Sequence, residues 1–398
     1  MKVNLDRLKN NIINVGEIGK DEDGGITRLA FSDEYNQAVD LVVKLFTEQN
    51  LQVTVDGVGN VIGRREGKSD LPSIMIGSHI DTVKNGGLLD GNLGVMAGLE
   101  CVSILNDNNI ITNHPIEIIG FNAEEGSEMG GTFGSRVMAG KQDLNDPSLP
   151  EKLSTYDLTV DDLRKSVRDM KKVKAFLEIH IEQGGFLDNN NLSIGVVSGI
   201  AGITRYEIRV KGEANHAGTT PMDLRKDALT AAAKLISRIE EISKRIGRPF
   251  VSTIGQLTIK PGSVNVIPGE VVMILEMRDM DKNKINSAIE EIQTYSNILN
   301  GFQVEFKLLI EKPSVETNEK ITEEIKNVCI ENDIRYEVMA SGAGHDAKEM
   351  AAKVPIGMIF IPSKDGKSHC PQEFSTWEDI ETGTQVMFNT LLKVDELL

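Results

Sequence analysis

Residues 73–95, SIMIGSHIDTVKNGGLLDGNLGV, begin as an apolar run, reach His79, and pass through a glycine-rich turn bearing Asp90 into the apolar stretch GVMAGLECVSILNDN. An apolar run of strand length, bounded by turn residues and followed by a helix, is the βα step of a sheet buried on both faces. The step recurs. IEIIGFNAEEG (116–126) carries adjacent Glu124 and Glu125 just past its apolar run, AFLEIHIEQG (175–184) carries His180, and PIGMIFIPSKDGKSHCPQE (355–373) carries His369. Strands alternating with helices predict an α/β fold, with a mixed, mostly parallel sheet covered by helices.

Between the third and fourth of these segments the pattern changes. GITRYEIRVKGE, VSTIGQLTIK, EVVMILEMRDM and FQVEFKLLIE read as half-buried strands, while DALTAAAKLISRIEEISKRI and KINSAIEEIQTYSNILN read as amphipathic helices. Their order is β-α-β-β-α-β, the ferredoxin-like arrangement. Because His369 follows this block, the block is an insertion: residues 1–201 and 315–398 form one domain, and 202–314 an inserted α+β lid or dimerisation domain.

Composition narrows the function. The 398 residues are 40% hydrophobic and 26% charged, and 60 acidic against 43 basic side chains give a net charge of -17. A nucleic-acid surface needs a basic face, so that class is disfavoured, as is an anionic membrane surface. An anionic small substrate needs only one or two local arginines. Cys101, Cys329 and Cys370 have no CxxC spacing, which fits a reducing cytoplasm and neither a disulfide framework nor a thiolate zinc site. MKVNLDRLKNNIINVGEIG lacks an apolar signal region, and no stretch approaches the length of a membrane span.

His79, Asp90, Glu124, Glu125, His180 and His369 are a donor set for hard cations: imidazoles hold each metal, a carboxylate bridges, and a spare carboxylate acts as base. Asp81 lies two residues beyond His79, on the same side if the chain stays extended, where it could orient the ring. Asp90 could instead cap a helix, and His180 could be a satisfied core histidine. Glu178 and Glu182 flank His180, facing either the site or solvent.

With these motifs in place, the chain resembles the two-zinc amidohydrolases of the aminoacylase and carboxypeptidase clan. It is most similar to the branch holding N-carbamoyl-L-amino-acid hydrolases, β-ureidopropionases and allantoate amidohydrolases. GEANHAGTTPMDLRKDA, PGSVNVIPG, SGAGHDA and SHCPQE join the segments above, and LEIHIEQG and NHAGTTPM mark the branch. The resemblance implies a zinc-exopeptidase-like fold and two divalent ions, zinc first, with manganese, cobalt or nickel as alternatives. His79 and His180 would hold one ion, Glu125 and His369 the other, and Asp90 both. Glu124 would be the general base and Asp81 the partner of His79. His216, reaching in from a homodimer partner, would polarise the scissile carbonyl. Asn265 and Arg278 would grip the substrate carboxylate, Gln183 the ureido group, and Ser341 and Gly342 would make further contacts. The implied reaction is hydrolysis of the ureido C–N bond of an N-carbamoyl-L-amino acid or allantoate, releasing ammonia and carbon dioxide. A metallo-dipeptidase or aminoacylase is the alternative, and an inactive scaffold a second. Relatives often carry an Arg-Phe pair after EEGS, where this chain has Glu128-Met129. Taken alone, His216 could be a loop histidine, Arg278 an ion-pair donor to Asp279, Asn265 a turn former, and His345 a helix cap.

Overall fold

The computed structural model describes residues 1–397. Its strands are β1 (Gln52–Val55), β2 (Val61–Arg65), β3 (Ser73–His79), β4 (Ile116–Phe121), β5 (Val173–Ile181), β6 (Ile194–Ile200), β7 (Gly202–Lys211), β8 (Val251–Lys260), β9 (Glu270–Asp279), β10 (Gln303–Lys312), β11 (Val315–Glu316), β12 (Tyr336–Ser341) and β13 (Ile356–Ile361). The chain divides into two compact units, one of residues 1–198 with 316–398 and one of residues 199–315.

The first unit is built on a nine-stranded sheet ordered β1-β2-β4-β3-β5-β13-β6-β11, with β12 also pairing with β6. The four adjacent strands β4, β3, β5 and β13 run parallel, so their C-terminal ends open on one edge. In open α/β sheets that edge is where sites form. β3, β4 and β13 are buried along their whole length, which accounts for apolar runs without alternation.

Side-chain parity still assigns faces. Ala175, Leu177, Ile179 and Ile181 of β5 join the main core. The intervening Phe176, Glu178 and His180 point the other way, where Phe176 meets Phe121 and His180 meets His345. Helix Asn92–Asp107, buried from Asn92 through Leu105, packs on the core face. It comes close because residue 94 is glycine: a Cβ there would lie 2.6 Å from Ser78 Cβ and 2.7 Å from the Ile179 carbonyl. β6 meets β11, and Thr317 N donates to Ser198 O at 3.1 Å.

The second unit is an antiparallel sheet ordered β10-β7-β9-β8 with helices Ala228–Ile246 and Lys282–Ser296. Ile208 and Val210 of β7, Val271, Met273, Leu275 and Met277 of β9, and the apolar stripes of both helices form a separate core. The chain order is β-α-β-β-α-β. Among the described residues, no helix is long and apolar enough to cross a membrane.

Candidate metal centre

Each strand end delivers one donor. His79 is the last residue of β3, His180 the penultimate residue of β5, and Glu124 and Glu125 follow β4 after a turn in which Ala123 takes φ 59°. His369, with φ 57°, lies in the loop after β13. Asp90 arrives on a γ-turn: Asn92 N donates to Asp90 O at 2.8 Å, and Gly91 between them has φ 67° and ψ -51°. That conformation is strained for any residue with a Cβ.

Asp90 sits between two donor groups. Its Oδ1 lies 3.0 Å from His180 Nε2 and 3.4 Å from His79 Nε2. Its Oδ2 lies 3.2 Å from His369 Nε2, which in turn is 3.4 Å from Glu125 Oε1. The sets His79–Asp90–His180 and Asp90–Glu125–His369 each bring three ligand atoms within 4.8 Å of one another. Glu124 Oε2 is 4.0 Å from His79 Nε2.

Several observations fit this cluster to divalent cations. Nδ1 of His79 is 2.9 Å from the Asp81 carbonyl, and Nδ1 of His180 is 2.9 Å from the Ile181 carbonyl. Both rings therefore donate from Nδ1 and turn Nε2 toward Asp90, the nitrogen that a cation placed between them would take as its ligand. Gly91 N lies 3.3 Å from His180 Nε2 and so holds the Asp90 turn against that ring. Glu125 Oε1 is buried without a hydrogen-bond partner. Asp81, Asp90, Glu178, Asp346 and Glu373 are all buried, whereas the nearby guanidinium of Arg28 donates to the carbonyls of Ile80, Val15 and Ile18. So much buried negative charge is costly without counter-cations.

The electrostatics agree. Burial pushes Glu124 well above the usual carboxylate range, and burial together with Asp90 brings Glu125 to about 7. Burial would raise Asp90 too, but the three imidazoles hold it well below its ordinary value. The hydrogen bond to Asp90 lifts His369 to about 9.

Two expectations change in detail. Strand β3 ends at His79, and it is the Asp81 carbonyl, 2.9 Å from Nδ1, that binds the ring. The Asp81 carboxylate stays 3.8 Å from Nδ1 and instead accepts the backbone N–H groups of Glu124 and Glu125, both at 3.1 Å. His345 precedes helix Asp346–Met350 but its side chain makes no cap. Its Nε2 lies 2.9 Å from Ser341 Oγ, which also accepts from Ala343 N, so the Ser341 hydroxyl is engaged within its own loop. Gly342 is exposed in that loop.

Gln183, at φ 59°, donates from Nε2 to Asp90 Oδ2 at 2.8 Å, and its Oε1 has no hydrogen-bond partner. Glu182 accepts from Phe186 N and Leu187 N and so starts the short helix there. Glu178 is buried, accepting from Ser78 Oγ and Ala347 N. Glu373, which sequence reasoning passed over, is also buried beside the Asp90 turn. Its only signal was an acidic residue at the end of SHCPQE.

The remaining candidates lie in the second unit. His216 and Asn265 come together: His216 bridges to Val266, and Ala217 N donates to Asn265 O. Nδ1 of His216 accepts from Gly218 N and Thr219 N, which fixes the ring. Arg278 is not with them. It pairs with Ile203 at the start of β7, whereas the His216 loop begins beyond Lys211, which pairs with Glu270 at the start of β9. Eight residues of strand at about 3.3 Å each, roughly 26 Å in all, separate those rungs. One chain therefore does not bring Asn265 and Arg278 to one carboxylate.

Residues 75–393 match peptidase family M20/M25/M40. The chain is 40% identical to an N-carbamoyl-L-amino-acid amidohydrolase of Pseudomonas sp. (strain NS671), covering 98% of each. It is 33% identical to the allantoate amidohydrolase of Escherichia coli K12, covering 94% of each. Among solved structures, a hydantoinase/carbamoylase family amidase from Burkholderia multivorans superposes with a TM-score of 0.91 at 32% identity, covering 99% of this chain and 98% of that one.

Proposed function

We propose, from the premise that the chain belongs to peptidase family M20/M25/M40, that it is a metal-dependent amidohydrolase cleaving the linear C–N bond of a ureido carboxylate, either an N-carbamoyl-L-amino acid or allantoate. The observation that carries the reading is the division of Asp90, with one oxygen facing His79 and His180 and the other facing His369. That division suits two ions: His79, His180 and Asp90 would hold one, and Asp90, Glu125 and His369 the other. An imidazole–carboxylate set suits zinc first, with manganese, cobalt or nickel also accommodated. When bound, such ions polarise a carbonyl and lower the pKa of water toward about 7.

The chain's own groups supply the rest. Glu124, whose basicity burial raises above that of an ordinary carboxylate, takes a proton from the attacking water and returns it to the leaving nitrogen. The Asp81 carboxylate fixes the backbone of both glutamates and so aims Glu124. Gln183 offers an unpartnered Oε1 to a ureido N–H, and Arg278, whose guanidinium pairs with Glu276 at 2.7 Å, would add the substrate carboxylate as a further partner. His216 and Asn265, a strand length from Arg278, complete the site from a second copy of the chain, making the active form a homodimer. The cysteines are free, which supports a cytoplasmic protein.

The test is ammonia release from allantoate, N-carbamoyl-L-amino acids and β-ureidopropionate, with dipeptides and N-acetyl amino acids as controls, by wild type and Glu124→Gln. Release confined to a ureido compound, abolished in the variant with metal content intact, is the expected result. Cleavage of the controls alone, or turnover retained by the variant, refutes the assignment.

A further inference from the structure

The geometry points to Glu373 as the positioning residue that registers the bridging Asp90 against His369 and thereby sets the affinity of the second ion. The inference rests on the two-ion reading above. Glu373 Oε1 accepts from both Leu89 N at 2.9 Å and Asp90 N at 3.0 Å. Its Oε2 meets Ser368 Oγ at 3.0 Å, and that same hydroxyl lies 3.1 Å from Asp90 Oδ2. One carboxylate thus ties the γ-turn carrying Asp90 to the loop carrying His369, two segments far apart in sequence.

The contact is built, not incidental. Glu373 is 6% exposed, and a Cβ on Gly87 would lie 2.0 Å from its Oε1, so the turn is shaped around the carboxylate. Placing a second acid beside Asp90 opposes stability unless donors compensate, and the amides of Leu89 and Asp90 and the Ser368 hydroxyl do so here. His79 and His180 are held differently, their rings fixed by the carbonyls of Asp81 and Ile181 and, at His180 Nε2, by Gly91 N. Loss of Glu373 therefore acts first on the Asp90–Glu125–His369 set, whose two segments it joins, and more weakly on the set that shares Asp90. Groups that orient metal ligands typically change affinity by about 10- to 100-fold.

The experiment titrates metal-free wild type, Glu373→Ala, Glu373→Gln and Ser368→Ala with cobalt(II) against a competing chelator, reading bound metal by elemental analysis and visible absorption. Wild type should take two equivalents. Glu373→Ala should bind one about 10- to 100-fold more weakly and the other with a smaller loss, with activity returning at high cobalt and KM unchanged. Glu373→Gln, which keeps an acceptor for both amides, should recover most of the loss. Ser368→Ala should weaken the same ion with Glu373 in place, so the idea stays testable if Glu373→Ala does not fold. Two tight equivalents in Glu373→Ala or in Ser368→Ala, or equal weakening of both ions, overturns the positioning role alone. Fewer than two equivalents in wild type overturns the two-ion reading and the inference with it.

Discussion

Replacing Gly91 with alanine tests whether the γ-turn is what places Asp90. A Cβ at this position would lie 2.5 Å from both Nδ1 and the carbonyl oxygen of His79 and 2.6 Å from its Cε1, where ordinary contact begins at 3.4 Å. The shortfall is about 0.9 Å. His79 is buried and its ring is pinned by the Asp81 carbonyl, so neither atom can move aside cheaply. Positive φ costs alanine about 1–2 kcal/mol, and overpacking a filled site costs about 1–3 kcal/mol. Together they come to about 2–5 kcal/mol, a large share of the stability of a typical domain. A displacement near 1 Å between Asp90 and His79 should lower turnover by about 100-fold. Urea denaturation of the metal-free protein gives the first quantity and steady-state kinetics the second. Gly255→Ala serves as control, because nothing lies within 4 Å of where its Cβ would stand. If Gly91→Ala kept metal-free stability to within about 0.5 kcal/mol, the scatter of surface substitutions, and turned over within twofold of wild type, the steric argument would be wrong.

Other expectations follow from separate features. Glu124→Gln and His216→Ala, each inactive alone, should regain part of the activity when dissociated and reassembled together, since a mixed dimer holds one intact site; no recovery under conditions that exchange subunits refutes a shared site. Burial raises Asp56 to about 6 from 3.8, so the folded state holds a proton that the unfolded state releases. Its favourable contribution is complete below about pH 4 and lost as pH rises through about 6, amounting to about 3 kcal/mol at most. Relative to Asp56→Asn, wild type should therefore gain stability between pH 7 and 5, and parallel pH profiles would contradict this. Cys101 and Cys329 are fully buried, and burial pushes Cys329 up to about 12; a thiol reagent should label Cys370 alone in the native protein and all three cysteines in denaturant. Chelation should lower the melting temperature, and excess zinc should restore it, because ions that bind only the folded state stabilise it by mass action.

The candidate metal donors were readable because most lie at or just past the end of an apolar run too short for a helix and too uniform for a half-exposed strand. Parallel strands then place such run-ends on one edge, and His79, Glu125, His180 and His369 converge there with Asp90. What the sequence hid is whatever depends on a local departure from regular geometry. Asp81 exchanges roles with its own carbonyl, because its carboxylate is taken by the backbone N–H groups of Glu124 and Glu125. Glu178 and Glu373 are acids in segments with no periodicity to betray burial, and only the donors around them explain their place. β6 runs antiparallel to β13, and the apolar SIGVVSGI gave no sign of that direction. The separation of Asn265 from Arg278 was available in principle, since most of the 10-residue strand β9 lies between them.

The insert leaves and returns through neighbouring rungs, where Ser198 and Thr317 share a hydrogen bond. The hydrolytic body accordingly closes on itself without residues 199–315, and a turn of a few residues could bridge the gap. Seen this way the insert is a graft on a stock that carries every candidate metal ligand. Exchanging it for another of the same footprint would leave those ligands and Glu124 standing while removing His216, Asn265 and Arg278, so the new graft would have to bring its own grip on substrate.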